Sequence, residues 1–431
     1  MTDQHRRTLL FICPIMPQQG GNGLAMRAGM MLEGLARRFD VYLFVVPASG
    51  GSLETQDFVR RLTVKVAVLD LSESLDPYAA LIDRIVDPAE RRLRRFEYPR
   101  PWASRFSGMA AARQAIAFVA GVQIDVLHVM RLYLAPLAVL IRRVLQSPVP
   151  VALLDLDDDD IRFHQGVSAL HELRGDFEQA ETDRAEAGKY AALAASLLGQ
   201  FDAVVTASED DARRLAASNP AIHFGSVPNG YAANPPRSPR ARIRGAGGPL
   251  RLLFVANLGY FPNADAAGQL VGQILPALRD RGAVVRLDIV GAGAPAGIFD
   301  LAETSDNGRI IIHGEVDSVA PWYAQTDITV TPLRAGGGTR IKILEAFAYG
   351  VPVVSSSLGA EGLEAIDGKH LLLADDTSDF AAACLRLAAD PALAADLVAD
   401  AKYLLMQNYT PARVHAKLDA IFDSLAFRGT S

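Results

Sequence analysis

The chain has 431 residues, of which 50% are hydrophobic and 21% charged, and it carries a net charge of −6 at pH 7. This balance excludes a disordered chain, and the acidic surplus excludes a nucleic-acid binder that works by bulk electrostatics, so no nucleic-acid partner is expected. One hydrophobic core does not usually serve a chain this long, so two domains are expected.

Residues 1–21 resemble a secretory signal only superficially. The apolar stretch from Leu9 to Ile15 is short, prolines interrupt it and no small-residue cleavage pattern follows, so it reads as a first buried strand. No uninterrupted run approaches the roughly 20 apolar residues of a membrane-spanning helix. The two cysteines, Cys13 and Cys384, are far apart and lack metal-ligand spacing, which fits a reduced, cytoplasmic protein. After the first strand comes a glycine-rich turn, "PQQGGNG", and then an amphipathic helix from Leu24 to Arg38. Strands follow at Val41–Val46, Val64–Leu69, Val126–Val129, Val151–Leu154 and Ala203–Thr206. Short β-branched runs alternating with helical patterns predict a parallel sheet covered on both faces.

"RSPRARIRGAGG" is rich in Pro, Arg and Gly without periodicity and marks the linker, 236–249, between an N-terminal domain (1–235) and a C-terminal one (250–410). A second series of strands runs through Arg251–Ala256, Val285–Val290, Ile310–Ile312, Ile328–Thr331, Val353–Ser355 and Leu371–Leu373. The tail, 411–431, predicts a last helix over 411–427 with an apolar stripe at Val414, Leu418, Ile421, Phe422 and Leu425. Two doubly wound, Rossmann-like α/β domains facing a central cleft are expected, with ligands beyond the carboxyl ends of the strands.

The stretch "GGGTRIKILEAFAYGVPVVSSS", 336–357, concentrates the chemistry. Gly336, Gly337 and Gly338 allow a tight turn and close backbone approach, and Thr339 can cap the helix that follows. Ile341, Leu344 and Ala348 mark its buried stripe, while Gly350 and Pro352 end it. Amides at a positive helix end, joined by Arg340 and Lys342, make an anion site suited to a diphosphate. Glu345, one turn deeper, can accept from two neighbouring hydroxyls such as those of a ribose. A capped surface helix with a Lys342–Glu345 pair is the plainer alternative.

"GGGTRIKILEAFAYGVPVVSSSLGAEGL" resembles the donor-nucleotide signature of the retaining glycosyltransferases of family four (glycosyl transferases group 1), which have the two-domain GT-B fold. "FVANLGYFPNADA", "LDIVGAG", "IIIHGEVDSVAPWYAQTDITVTPL" and the interdomain "SVPNG" agree with it, and "PIMPQQGGNGLAMR" and "DVLHV" extend it into the first half. The resemblance implies a nucleotide-diphosphate sugar as donor and no cofactor, with donor contacts at Gly20, Gly21, Asn257, Gly291, Gly314, Val316, Gly337, Gly338, Thr339, Arg340, Lys342, Leu344 and Glu345. Glu345 corresponds to the second glutamate of the family's E-x7-E motif, the one that holds the ribose. Gly337 stands where the first glutamate belongs, and the family's arginine and lysine after the first strand of the C-terminal domain are missing. Arg340 and Lys342 are expected to take over the diphosphate. In this fold the last helix crosses back onto the N-terminal domain.

Other motifs carry a second interpretation. Asp155-x-Asp157 can hold Mg²⁺ or Mn²⁺, or cap and terminate a strand near the cleft; with fixed cations at the donor site, no metal is expected. Gly291-x-Gly293-x-x-Ala296 follows the second strand of its domain, whereas a dinucleotide fingerprint belongs after the first. His128 ends a strand in "DVLHVM", either as a catalytic group in the cleft or as a core histidine; Met130 occupies the place of the family's second histidine, with Arg131 and Tyr133 nearby. Residues 89–106 interleave arginines with Phe96, Tyr98 and Trp102, a solvated face or a contact for an anionic membrane surface.

The expected activity is therefore metal-independent, retaining transfer by same-face attack to an unidentified, lipid-linked or polysaccharide acceptor, with His128, Arg340 and Lys342 as catalytic candidates. A nucleotide-sugar epimerase of the same fold and a catalytically silent nucleotide-binding subunit are the alternatives.

Overall fold

The computed structural model describes residues 6–74, 76–145, 149–235, 248–305, 309–337 and 340–425. It divides into two compact units, Met1–Pro228 with Val414–Ser431, and Asn229–Arg413. Of the expected linker, 236–247 lies outside the described residues; the division itself falls earlier, at Pro228, because the segment after it is bonded into the second unit.

Among the described residues the first unit holds seven parallel strands: β1 (Thr8–Cys13), β2 (Asp40–Val45), β3 (Lys65–Val68), β4 (Val126–Met130), β5 (Val151–Asp157), β6 (Ala203–Thr206) and β7 (Phe224–Ser226), in the order β3-β2-β1-β4-β5-β6-β7. The second holds six: β8 (Leu250–Val255), β9 (Val285–Val290), β10 (Ile310–Ile312), β11 (Ile328–Thr331), β12 (Val353–Ser355) and β13 (Leu372–Leu373), in the order β10-β9-β8-β11-β12-β13. In each sheet the chain steps outward through its first three strands and then returns to the other side of the first, the doubly wound pattern whose switch points lie between β1 and β4 and between β8 and β11. Along β1, Leu10 and Ile12 enter one core layer while Leu9, Phe11 and Cys13 enter the other, so both sheet faces are covered.

β7 has no counterpart among the sequence-predicted strands. It is three residues long and contains Gly225, where a Cβ would come 2.3 Å from Ile421 Cδ1. Ile421 belongs to the last helix, Pro411–Ser424, whose Val414, Leu418 and Phe422 are buried in the first unit's core. A Cβ on Gly34, in the helix Gly23–Ala36, would meet Leu418 Cδ2 at 2.9 Å. Two absent side chains thus set how closely the last helix lies against this unit.

Cys13 and Cys384 are free and buried in different units, and burial raises both thiols to about 12. Among the described residues no helix is long and apolar enough to cross a membrane.

Candidate functional site

In the second unit the helix Ile341–Tyr349 starts from the β11 end of the switch point. Arg340 occupies its N-cap position and Gly350, at φ 72°, closes it in the left-handed conformation. Gly338 and Thr339, including the expected cap, lie outside the described residues. The buried side chains are Ile343, Leu344, Ala346, Phe347 and Ala348, a wider face than the expected stripe, with Ile341 only partly buried. Leu344 is fully buried among Phe347 and Val353, so its side chain is core rather than a surface for a ligand.

Lys342 Nζ donates to Asn263 Oδ1 at 2.6 Å, and Asn263 Nδ2 donates to Asn257 O at 2.8 Å. Asn257 follows β8, so this chain of bonds spans the switch point from the β8 end to the β11 end. Desolvation, and then the nearby Arg340 charge, push Lys342 down to about 7. Asp265, two residues after Asn263 in the helix Phe261–Gln269, receives Arg334 in a two-pronged pair at 2.7 and 2.9 Å, which ties that helix to the segment after β11. Arg340 donates to Gly337 O and, at 3.1 Å, to Leu358 O. Its guanidinium is thereby folded over the glycine turn.

Glu345 does not pair with Lys342. Its Oε1 accepts from Tyr231 at 2.7 Å and its Oε2 from Tyr323 at 3.0 Å. Burial raises its carboxyl above the ordinary range, opposed by these two bonds. Tyr349 stacks on Tyr323 with centroids 4.6 Å apart.

Gly291 and Gly314 meet directly, Gly291 N donating to Gly314 O at 2.8 Å at the ends of β9 and β10. A Cβ on Gly291 would sit 1.7 Å from Ala256 O, a separation that admits only glycine and locks this turn against β8's end. Val316, further along the same loop, is partly buried against the core cluster around Tyr323.

In the first unit the expectations change more. Gly20 and Gly21 are exposed in the turn before the first helix, with Asn22 capping it through bonds to Leu24 N and Ala25 N at 2.9 and 3.4 Å. His128 is corrected from cleft to core: it is the middle residue of β4, has no exposure, and touches Phe11 and Phe422. Among the described residues neither ring nitrogen has a hydrogen-bond partner, and desolvation with the Arg27 charge pushes the imidazole down to about 3.

Asp155 and Asp157 are held by arginines. Arg27, buried in the first helix, donates to Asp155 at 2.7 and 3.1 Å, lies 3.3 Å from Asp157 and reaches Val227 O at 2.9 Å. Arg131 lies 3.4 Å from Asp157 and pairs with Asp160. Arg131 and Asp157 both have positive φ, 71° and 59°, at the carboxyl ends of neighbouring strands. In residues 89–106, Arg92 pairs with Glu178, and Arg94, Arg95 and Arg100 pair with Glu97, Asp83 and Asp76. Tyr98 is buried and Trp102 lies between Arg95 and Arg105, so of the named aromatics only Phe96 is exposed.

Arg27, Asn263, Tyr231 and Tyr323 are the residues that sequence reasoning missed. Arg27 had a signal, since it stands three residues after Leu24 and four before Met31, on the helix's inward face. Asn263 lies in "PNADA", within a quoted motif; the two tyrosines carry no periodic signal.

Residues 249–390 match the family model described as Glycosyl transferases group 1. No curated protein matches the chain in sequence. In structure the chain is similar to sucrose-phosphate synthase from Thermosynechococcus elongatus, at 17% identity and TM-score 0.65, covering 97% of this chain and 98% of that one. It is also similar to Anabaena HepE in complex with UDP and glucose (14% identity, TM-score 0.61, 97% and 100% covered) and to a glycosyltransferase from Rickettsia africae (11%, 0.61, 99% and 100%). The matched residues thus define a domain of the Glycosyl transferases group 1 class, and the whole chain shares with these structures the fold of two doubly wound α/β units. Within the class, the matched residues contain the whole β11–helix stretch with Arg340, Lys342 and Glu345.

Proposed function

We propose that the chain is a retaining glycosyltransferase that takes its sugar from a nucleotide-diphosphate donor bound at the β8–β11 switch point. The observation that carries this is the convergence, inside the matched domain, of a helix N-terminus, Lys342 and a doubly hydrogen-bonded Glu345. Structures of Anabaena HepE with UDP and with UDP-glucose supply the precedent for such a donor on this fold. Leaving-group charge gathers on the β-phosphate as the bond from the sugar's anomeric carbon to the phosphate oxygen breaks. Lys342, the helix's positive end and the through-space charge of Arg340 stabilise it, while Glu345 accepts from the ribose. The acceptor hydroxyl attacks from the face the phosphate leaves and passes its proton to the departing phosphate, so the anomeric configuration is kept.

This reading needs no divalent metal: Asp155 and Asp157 are engaged by Arg27 and Arg131, and the donor site brings its own cation. Contact with an anionic membrane belongs to the same proposal through exposed Leu93 and Phe96 on the arginine-rich helix Pro88–Glu97; flotation with acidic vesicles, lost in Leu93→Glu, tests it.

The deciding experiment incubates the protein, in EDTA, with a panel of labelled nucleotide sugars. Slow release of sugar from one donor with retained anomeric configuration is expected. Inversion at a sugar carbon without release indicates an epimerase, and binding without turnover a silent subunit; either outcome contradicts the proposal.

A further inference from the structure

Glu345 is held by two phenols from different parts of the chain, and one of them has a second attachment. Tyr231 lies just beyond Pro228, where the chain leaves the first unit. Its amide donates to Tyr409 O at 2.8 Å, shortly before Arg413, where the chain passes back. The same residue's hydroxyl donates to Glu345 Oε1 at 2.7 Å. Both stretches of chain that pass between the units are therefore joined to each other and to Glu345 through one tyrosine.

A carboxylate offers about four acceptor positions, two on each oxygen. Tyr231 and Tyr323 take one position on each oxygen. Among the described residues these two bonds leave one acceptor position on each oxygen, enough for the two donors of a vicinal diol. Burial, and then the charge of Glu345, keep Tyr231 a phenol rather than a phenolate, so it is a fixed donor. Tyr323 is buried and stacked on Tyr349 and cannot swing to replace it. Loss of the Tyr231 hydroxyl leaves the carboxylate held through one oxygen only, so the whole group can turn away from the diol.

We propose that Tyr231 is a positioning residue that aims Glu345 at the ribose diol of the donor nucleotide and ties that carboxylate to both interunit passages of the chain. The proposal rests on the donor-site reading given above, and it assigns ribose selectivity to a residue outside the matched domain, which begins at 249.

The test uses the full-length protein. UDP, GDP and ADP are titrated calorimetrically, and the tightest binder is compared with its 2′-deoxy form in the parent, Tyr231→Phe and Glu345→Gln. Tyr231→Phe is expected to bind the ribonucleotide about fivefold to tenfold more weakly, the scale of one ordinary net hydrogen bond, while the deoxy form changes little. The parent's preference for ribose should shrink accordingly. A merely structural role would weaken both forms alike, and that result, or an unchanged preference in Tyr231→Phe beside a lost one in Glu345→Gln, overturns the positioning role alone. A parent that binds none of the three contradicts the donor-site reading and this inference with it. Parental melting behaviour of Tyr231→Phe checks that the fold is intact.

Discussion

Lys342 joins charge to pH. Because desolvation and Arg340 push its ammonium down to about 7, it loses its proton across the range where an exposed lysine keeps it. A diphosphate needs the charged form, so affinity should fall as pH rises from 7 to 9, where the phosphates themselves no longer titrate. Lys342→Arg, which stays charged, should flatten that profile in calorimetric titrations; an equally steep profile in the variant would assign the dependence elsewhere. Arg27 makes the opposite case, a cation spent on structure. Replacing it with Met leaves Asp155 and Asp157 buried without their main partner, and urea unfolding should show a loss of roughly 3–5 kcal/mol. At this scale Arg340, Lys342 and Glu345 were legible as types, because cations and an acid after a glycine turn state their chemistry locally. Their partners were not, since Asn263 and Tyr231 lie far away in sequence. His128 was misplaced because the apolar run alone does not reveal that β4 continues to Met130, which puts the imidazole mid-strand.

Most strands were legible because a parallel sheet buried on both faces writes itself as short β-branched runs. β7 was not, as "FGS" has no such run and its glycine answers a contact made by a helix from the end of the chain. That helix is amphipathic in sequence, but only the structure shows that Gly34 and Gly225 receive it. Val at either position would drive the helix outward. A loss of about 1–3 kcal/mol, the usual range for overpacking, is expected from thermal or urea unfolding of Gly34→Val and Gly225→Val. Variants as stable as the parent would mean that the helix shifts without cost.

For the whole molecule, the division of labour follows from where the residues lie. Lys342, Glu345, Tyr231 and Asn263 all belong to the second unit, whereas Val414, Leu418 and Phe422 complete the core of the first. Burial of each such apolar side chain is worth about 1.5–3 kcal/mol, so deleting residues 411–431 removes a sum comparable with the stability of a domain. The truncated chain should lose transfer activity and the first unit's cooperative unfolding while keeping its nucleotide affinity. Two units, their parallel sheets and the helix at the second switch point were readable from pattern; the early passage at Pro228 was not, because Tyr231's two bonds, rather than composition, attach that segment to the second unit.

On the proposed function, a nucleoside diphosphate binds on the helix Ile341–Tyr349 without a metal. Calorimetric titration of UDP, GDP and ADP in EDTA, into the parent, Lys342→Ala and Glu345→Ala, tests it most directly. The predicted result is saturable binding of one of them by the parent and a loss of about tenfold or more in each variant, with parental folding. Binding that is unchanged in both variants, or that returns only with Mn²⁺, would contradict it.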